Sequence, residues 1–264
     1  MEIPVTRTRV ASRDPARFIG EQSAWSQSSI ITVAKIFMMH TPLLLGHRGD
    51  RRAAPENTLA AFDLAMANGC DGFEFDVRLS ADSQAIIFHD PDVSGTPIAL
   101  NSFDMLLNLN RPKQSNECIP RLVDVIRRYT ADAFLDIELK VPGLESAVVA
   151  QLKENPPQRG YVVSSFLPEV LDAISRQDTT VPLGFICEDP RALLHWRELP
   201  AEYVIPKYDL VGTGLVHEVH RAGRKVIVWT VNDPPTMRHL AEIQVDAVIS
   251  DDTRLMVQTL RFVN

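Results

Sequence analysis

Residues 42–77 read PLLLGHRGDRRAAPENTLAAFDLAMANGCDGFEFDV, and the order of the patterns in this stretch decides the fold. The apolar runs at 42–47 and 72–77 predict β-strands. The stretch between them predicts a helix, for which Asn68 and Gly69 supply a stop signal. A strand, a helix and a strand in succession are typical of two parallel strands in one sheet.

The same alternation continues along the rest of the chain. Further strand-like runs stand at 85–89, 134–139, 161–165, 182–187, 202–207, 225–231 and 246–251. Helix-like stretches lie between most of them, at 122–129, 167–176, 189–199, 213–223 and 234–243. The link RLSADSQ before residues 85–89 is short and polar, so that run is predicted to be the return arm of a β-hairpin. Eight strands remain, which predicts an α/β fold: a (β/α)8 TIM-type barrel with a hairpin arm after its second strand and a short insert over 90–120, a loop with one short helix.

The composition is that of an ordinary globular protein, with 264 residues of which 45% are hydrophobic and 23% charged. A net charge of −7 and a pI near 5.5 argue against a nucleic-acid partner, which needs a basic surface. The three cysteines, Cys70, Cys118 and Cys187, are predicted to be reduced thiols. Each is expected to act as a small buried apolar residue rather than as a nucleophile. Reduced thiols are typical of a cytoplasmic protein, which we therefore expect. No apolar run reaches the roughly 20 residues of a membrane span, so we expect no stable membrane association.

The chain before the first strand has a different character. We expect residues 1–38 to form a poorly ordered extension and residues 39–264 to form a single barrel domain. Residues 30–39, IITVAKIFMM, resemble the apolar region of a signal peptide, which would indicate secretion. Lys35 interrupts this run and no small-x-small cleavage site precedes the first strand, which argues against that alternative.

Carboxylates stand at the ends of two predicted strands. Glu74 and Asp76 are two residues apart and therefore face the same side of one strand, and Glu138 and Lys140 have the same spacing on another. Buried carboxylates are costly unless they are paired or bind a metal ion. Converging carboxylate oxygens favour one hard divalent cation, Mg²⁺ or Ca²⁺. The alternative is a buried ion-pair network with Arg48 and Lys140.

Two histidines, His47 and His89, end neighbouring apolar runs, and each is followed by a charged residue. Histidine titrates near neutral pH and can give or take a proton during bond cleavage. Arg48 offers a planar fork of donors suited to phosphate oxygens, and Lys140 offers a point charge. Three carboxylates, a divalent cation and these two basic residues leave one positive charge, which a phosphodiester would balance. The sequence therefore favours a phosphodiester as the ligand.

A series of short motifs extends this pattern over most of the chain. They are HRG (47–49), PENT (55–58), EFDV (74–77), HD (89–90), IPRL (119–122), IELK (137–140), VVSSF (162–166), VWTVND (228–233) and DAVISDD (246–252). This order resembles the glycerophosphodiester phosphodiesterase family from about residue 42 to residue 252. The resemblance implies a metal-dependent barrel that hydrolyses a small-molecule glycerophosphodiester to glycerol 3-phosphate and an alcohol.

The resemblance also implies which residues act on the phosphodiester. Glu74, Asp76 and Glu138 correspond to the metal ligands of the family. His47 and His89 correspond to its acid–base pair, although the sequence does not say which is the acid.

The remaining site residues correspond to binding and bracing positions. Arg48 and Lys140 match the phosphate contacts, and Trp229 matches an aromatic residue of the pocket wall. Glu56 and Asn57 match residues that line or brace the site. In one interpretation Asn57 points at the ligand; in the other, both belong to the cap of the next helix, where Asn and Thr are favoured.

Some departures from the family pattern bear on the substrate. Gly95 stands where the family has an arginine, the segment that leads to Ile119 is short, and Arg51 and Arg52 replace a more neutral turn. These departures concern the substrate and not the reaction. Two alternatives to the hydrolysis stay open. One is a phospholipase D-like reaction that forms a cyclic phosphate from a lysophospholipid, and the other is a non-catalytic barrel that binds a phosphorylated metabolite.

Overall fold

The computed structural model describes residues 41–109 and 118–261, so the expected extension over 1–38 lies outside the described residues. The strands, in chain order, are β1 (Leu43–His47), β2 (Gly72–Leu79), β3 (Ala85–Ile87), β4 (Asp92–Val93), β5 (Thr96–Pro97), β6 (Phe134–Leu139), β7 (Tyr161–Ser165), β8 (Leu183–Cys187), β9 (Tyr203–Pro206), β10 (Lys225–Val228) and β11 (Ala247–Ser250).

The predicted barrel is confirmed. Strands β1, β2 and β6 to β11 are parallel, and β1 pairs with both β2 and β11, which closes the ring. Strand β3 pairs antiparallel with β2 outside the ring, with Val77 opposite Ile87, and is the predicted hairpin arm. The arm ends two residues earlier than the sequence indicated, so that His89 lies beyond it.

Helices cover the outside of the barrel. They are α1 (Leu59–Ala67), α2 (Phe103–Leu109), α3 (Leu122–Tyr129), α4 (Glu145–Glu154), α5 (Pro168–Gln177), α6 (Pro190–Leu193), α7 (Thr213–Arg221), α8 (Pro234–Glu242) and α9 (Thr253–Leu260), with short 3₁₀ turns at 98–100, 194–197 and 208–210. None of the helices in the described ranges is long and apolar enough to cross a bilayer.

Alternation along the strands divides the apolar residues into two shells. Inward residues such as Leu45, Ile186 and Ile205 pack together inside the barrel. Outward residues such as Phe73 pack against the helices, with Phe62 of α1 stacked on Phe73 at 4.3 Å between ring centroids. The strand ends are thus supported by packing on both faces of the barrel wall, as a site built from strand ends requires.

The structure corrects some sequence expectations. Helices α4 and α9, and the small ribbon formed by β4 and β5, were not predicted. Cys70 and Cys187 are buried as expected, but the prediction for Cys118 is wrong because this residue is exposed. Its neighbour Ile119 inserts into the cluster under the insert, which leaves the Cys118 side chain facing outward.

Candidate active site

The polar strand ends meet in one cavity of about 280 Å³. Its lining residues are His47, Arg48, Glu74, His89, Asp136, Glu138, Lys140, Phe166, Ile186, Glu188, Ile205, Trp229 and Ile249. The carboxyl ends of the strands are where barrels of this type hold their active sites. Three further predicted residues stand behind the lining: Asp76 and Glu56 both contact Arg48, and Asn57 contacts Asp76.

Three predicted metal ligands form one buried acidic cluster. Glu74 and Asp76 extend from β2, and Glu138 extends from β6, where it lies opposite Asp76 in the strand register. One carboxylate oxygen from each lies within 4.8 Å of the others. All three side chains are almost completely buried. Parallel pairing of two strands therefore brings together carboxylates that are more than 60 residues apart along the chain.

The charges of this cluster shift its titration. Burial raises the pKa of Glu74 well above its ordinary value, and the charges of Asp76 and Glu138 add to the effect. Burial and the charge of Asp76 likewise raise the pKa of Glu138 to about 7. Asp76 differs because Lys140 and Arg48 outweigh its burial and hold its pKa below the ordinary value. Lys140 and Arg48 thus compensate the charge of Asp76 well, but the charges of Glu74 and Glu138 poorly.

The residues of the cluster fit a divalent cation. The ion pairs of the alternative interpretation are present, since Lys140 Nζ lies 2.7 Å from Glu138 Oε1 and 3.2 Å from Asp76 Oδ1. They do not satisfy Glu74, whose Oε1 atom is buried and accepts no hydrogen bond. A buried carboxylate oxygen without a donor is costly, and a hard cation held by three carboxylates would remove that cost.

The loop after β1 braces this cluster through unusual backbone conformations. Arg48, Gly49 and Asn57 have φ angles of 54°, 81° and 58°. A Cβ atom at Gly49 would come within 2.5 Å of the Ala61 backbone, so glycine is required at this turn. The turn directs the Arg48 backbone N–H to Glu74 Oε2 at 3.0 Å.

Asn57 is bonded to a predicted metal ligand at both ends of its amide. Its Nδ2 donates to Asp76 Oδ2 at 2.7 Å, and its Oδ1 accepts from the Asp76 backbone N–H at 3.3 Å. The helix cap is formed by Thr58, whose hydroxyl accepts from Ala61 N. Glu56 accepts from Arg48 Nη1 at 2.8 Å and pairs with Arg51. Glu56 and Asn57 thus have bracing positions in the structure, behind the cavity wall.

His47 is held by a carboxylate from the opposite end of the chain. Its Nδ1 lies 2.6 Å from Asp251 Oδ1, and its Nε2 lies on the side of Glu74, 3.9 Å from Oε2. Burial lowers the pKa of His47 in spite of this hydrogen bond. Burial acts to raise the pKa of Asp251, but the hydrogen bond from His47 outweighs it and keeps that pKa below its ordinary value. Because a carboxylate can only accept, the Nδ1–H of His47 donates to Asp251 Oδ1, and Nε2 faces the cavity.

Asp251 is in turn fixed by its surroundings. Asn232 Nδ2 donates to Asp251 Oδ2 at 2.6 Å, and the Asp251 backbone N–H donates back to Asn232 Oδ1 at 3.0 Å. Arg51 Nη1 lies 3.6 Å from Asp251 Oδ1. Arg51, which departs from the family pattern, thus bridges Glu56 and Asp251 rather than standing free in a solvated loop.

The second histidine has a more open position. His89 is about one-third exposed, and its Nδ1 lies 2.8 Å from Asp90 Oδ1. Arg78 Nε donates to the His89 carbonyl at 2.7 Å, which fixes the backbone beyond the hairpin arm. The structure therefore places one histidine deep in the cavity and the other at its rim.

Two aromatic residues, Phe166 and Trp229, line another part of the cavity. Trp229 and Phe166 pack edge to face at 5.6 Å between centroids, and Trp229 Nε1 donates to the Ile205 carbonyl at 3.0 Å. Two other polar residues at the carboxyl ends of strands, Ser165 and Lys207, do not line the cavity. The Ser165 hydroxyl donates to the Leu139 carbonyl, and Lys207 pairs with Asp209.

Sequence reasoning missed Asp251 and Asp136 as site residues. Asp251 lies in the DAVISDD motif, but its contact with His47 exists only because β11 closes the barrel against β1. Asp136 shares the inward spacing of Glu138, lies opposite Glu74, and accepts from Ser164 Oγ at 2.5 Å. Burial raises the pKa of Asp136 to about 7. Its position two residues before Glu138 was the available signal.

Comparison with known proteins gives consistent results. The model of the glycerophosphoryl diester phosphodiesterase family matches residues 47–255. A glycerophosphodiester phosphodiesterase of Caldanaerobacter subterraneus is 28% identical over 243 residues, which cover 83% of this chain and 98% of the relative. An Oleispira antarctica phosphodiesterase, solved in complex with the product sn-glycerol-3-phosphate, is 28% identical with a TM-score of 0.73, and the match covers 84% of this chain and 97% of that one. A Thermotoga maritima glycerophosphodiester phosphodiesterase is 25% identical with a TM-score of 0.72, over 83% and 98% of the two chains.

Proposed function

Because the chain belongs to the glycerophosphoryl diester phosphodiesterase family, we propose that it hydrolyses a glycerophosphodiester to glycerol 3-phosphate and an alcohol with the help of one divalent cation. Membership of the family supports the reaction class. The observation that supports the metal-dependent mechanism is the meeting of the acidic cluster with His47 in one cavity. The product in the Oleispira antarctica relative supports glycerol 3-phosphate as the product of this chain.

Glu74, Asp76 and Glu138 would hold the cation. When bound, a divalent cation supplies Lewis-acid polarisation of a phosphoryl oxygen and activation of a hydroxyl nucleophile. Arg48 and Lys140 stabilise the charge that develops on the equatorial phosphate oxygens. Their existing ion pairs with Asp76 hold both groups in place before substrate arrives.

The two histidines divide the proton transfers between them. His47 accepts the proton of the nucleophile, a water or a glycerol hydroxyl, at Nε2, because its Nδ1 is committed to Asp251. The ionised Asp251 stabilises the imidazolium that results. His89, at the open rim, protonates the oxygen of the leaving alcohol as the P–O bond breaks.

A cyclising reaction on a lysophospholipid is the second candidate. The insert that follows His89 exposes three large apolar side chains, Leu100, Met105 and Leu109, which could contact a lipid chain. The same histidines and carboxylates would serve, with a hydroxyl of the substrate as the nucleophile. A cyclic phosphate identified by ³¹P NMR would favour this reaction over direct hydrolysis.

The test is release of glycerol 3-phosphate from glycerophosphocholine and glycerophosphoethanolamine, measured by a coupled assay with added Mg²⁺, Ca²⁺ or chelator. We expect release that chelator abolishes and added cation restores, and a loss of roughly 10²-fold or more in kcat for His47→Ala and for His89→Ala. Glu74→Ala should remove the metal-dependent turnover from a folded protein. Activity unaffected by chelation would contradict the metal role. No release from either substrate by the folded, metal-loaded protein would favour the cyclising reaction if ³¹P NMR finds a cyclic phosphate from a lysophospholipid, and the non-catalytic, phosphometabolite-binding alternative if it finds no product.

A further inference from the structure

We propose that Glu188 selects glycerophosphodiesters whose alcohol carries a positive charge, such as a choline or ethanolamine group. This inference rests on the proposed function and adds a substrate class to it. Glu188 lines the same cavity as the acidic cluster and both histidines. It was not singled out in the sequence because it lies one residue past a strand of apolar residues.

The position of Glu188 follows from the alternation along β8. Ile186 faces the inside of the barrel and lines the cavity, whereas Phe185 and Cys187 pack on the outer shell. Two residues beyond Ile186, Glu188 continues the inward register at the carboxyl end of the strand. Its side chain is exposed, which places the carboxylate at the mouth of the cavity rather than in the buried cluster.

Glu188 differs from every other ionisable side chain in the cavity wall. The seven others each contact a partner, as His89 contacts Asp90 and Glu138 contacts Lys140. The side chain of Glu188, by contrast, makes no hydrogen bond and no ion pair with residues 41–109 or 118–261. The fold therefore does not use this carboxylate, which leaves it available to a ligand.

Charge identifies the kind of ligand that suits this position. The acidic cluster, one divalent cation, Arg48 and Lys140 are balanced by the single negative charge of a phosphodiester. Glu188 then adds an uncompensated negative charge that repels the substrate. The charges next to the wall do not relieve this repulsion, since Glu56, Asp251 and Asp90 bring three negative charges and Arg51 and Arg78 only two positive charges.

A cationic alcohol removes the conflict. With its phosphate at Arg48 and Lys140, the substrate would present the ammonium group of its alcohol toward the mouth, where Glu188 attracts it. Trp229 lines the same cavity, and the face of an indole ring also binds quaternary ammonium groups. The Phe166 ring already has Lys140 Nζ over its face, at 5.8 Å from the ring centroid. Diesters of uncharged alcohols gain neither interaction.

The experiment compares kcat/KM for four diesters that all release glycerol 3-phosphate: glycerophosphocholine, glycerophosphoethanolamine, glycerophosphoglycerol and glycerophosphoinositol. We expect the wild-type protein to prefer the first two by about twofold to fivefold, the range of a partly screened charge contact. Glu188→Gln should abolish that preference, and Glu188→Lys should reverse it. Asp189→Asn is the matched control, because Asp189 carries the same charge one residue away but caps α6 outside the cavity wall, and Asn is an equally good cap.

The outcomes separate this inference from the proposed function. Turnover of all four diesters with equal kcat/KM, or a preference that Glu188→Gln leaves unchanged, would overturn the role of Glu188 and leave the hydrolase intact. If Asp189→Asn reduces the preference as much as Glu188→Gln does, the preference depends on the overall charge of the protein. That result would also overturn the inference. Release from none of the four substrates by the folded, metal-loaded protein would contradict the proposed function itself, and the inference with it.

Discussion

Asp251 controls the orientation of His47 although 204 residues separate them along the chain. A histidine that accepts a proton must present the nitrogen that carries a lone pair, and its hydrogen-bond partner decides which nitrogen that is. The carboxylate of Asp251, held by Asn232, leaves only Nε2 for the cavity. An amide in place of this carboxylate could instead donate to Nδ1 and favour the opposite tautomer.

Asp251→Asn is therefore expected to lower kcat by about 10-fold to 100-fold, with little change in KM, because such supporting contacts affect the orientation of a reacting group. Steady-state kinetics on glycerophosphocholine would measure both parameters. Asp252→Asn is the control, since Asp252 accepts from Leu255 N as the cap of α9 and does not contact His47. Equal kinetics in the two variants would show that Asp251 does not position the histidine.

The sequence predicted single residues well where spacing alone decides their direction. Glu74 and Asp76 face one side because they are two positions apart on a strand, and the structure brings them together with Glu138. The sequence left open whether Asn57 points at the ligand, braces the site or caps the next helix, since the choice depends on a positive φ angle and on the distance to Asp76 after folding. Asp251, the carboxylate behind His47, was missed because the two residues meet only when β11 pairs with β1.

At the scale of elements, the acidic cluster depends on the close approach of β2 and β6. These strands pair over six residues, from Gly72 opposite Phe134 to Val77 opposite Leu139. A Cβ atom on Gly72 would lie 1.8 Å from the Phe134 carbonyl oxygen, which belongs to the backbone and cannot rotate away. Gly72 therefore sets the spacing between the strands that supply the carboxylates.

Gly72→Ala is expected to lower the free energy of unfolding by about 2 kcal/mol or more, because the strands must separate to admit a methyl group. Denaturant unfolding would measure this change, and kcat/KM should fall as the carboxylates move apart. Gly214→Ala in α7 is the matched control, since a Cβ atom there meets nothing within 4 Å and alanine favours a helix. A Gly72→Ala protein as stable as the control would contradict the close approach.

The elements themselves were predictable where the apolar pattern is strong. All eight barrel strands and the hairpin arm were found from apolar runs, because parallel strands buried on both faces read as continuous apolar stretches. Helix α4, with an alternation of small, apolar and polar residues, gives a weaker pattern and was missed. The ribbon of β4 and β5 has two residues in each strand, too few for a periodicity.

At the scale of the whole molecule, folding raises the pKa of three carboxyl groups. Between their unfolded and folded pKa values they carry more protons in the barrel than in the unfolded chain. The pKa of Asp136 and of Glu138 rises to about 7, and that of Glu74 is also well above its ordinary value, in each case chiefly because of burial. The unfolded chain titrates such groups near pH 4. The sequence could not predict this linkage, because burial and the proximity of these carboxylates arise only on folding.

Between about pH 4.5 and pH 7, the folded protein without metal binds more protons at these carboxyls than the unfolded chain. Its free energy of unfolding should therefore fall as the pH rises through this interval, by up to about 1.4 kcal/mol per pH unit for each group. His47 acts in the opposite direction near pH 6.5 because burial lowers its pKa, but it is one group against three. Asp76, whose pKa is lowered, contributes its change below this interval.

Denaturant unfolding at pH 5 and pH 7, with chelator or with excess Mg²⁺ or Ca²⁺, measures this linkage. We expect the chelated protein to be less stable at pH 7 than at pH 5. Added cation should restore stability mainly at pH 7, because more of the carboxyls have lost their protons there and can bind it, whereas at pH 5 the cation must compete with protons. A cation at 100 times its Kd would add about 2.7 kcal/mol. Glu138→Gln should flatten the pH dependence in chelator, since its amide does not titrate, and should weaken the effect of the cation. Stability that rises from pH 5 to pH 7 in chelator would contradict the protonated cluster, and an equal gain from cation at both pH values would show that it binds elsewhere.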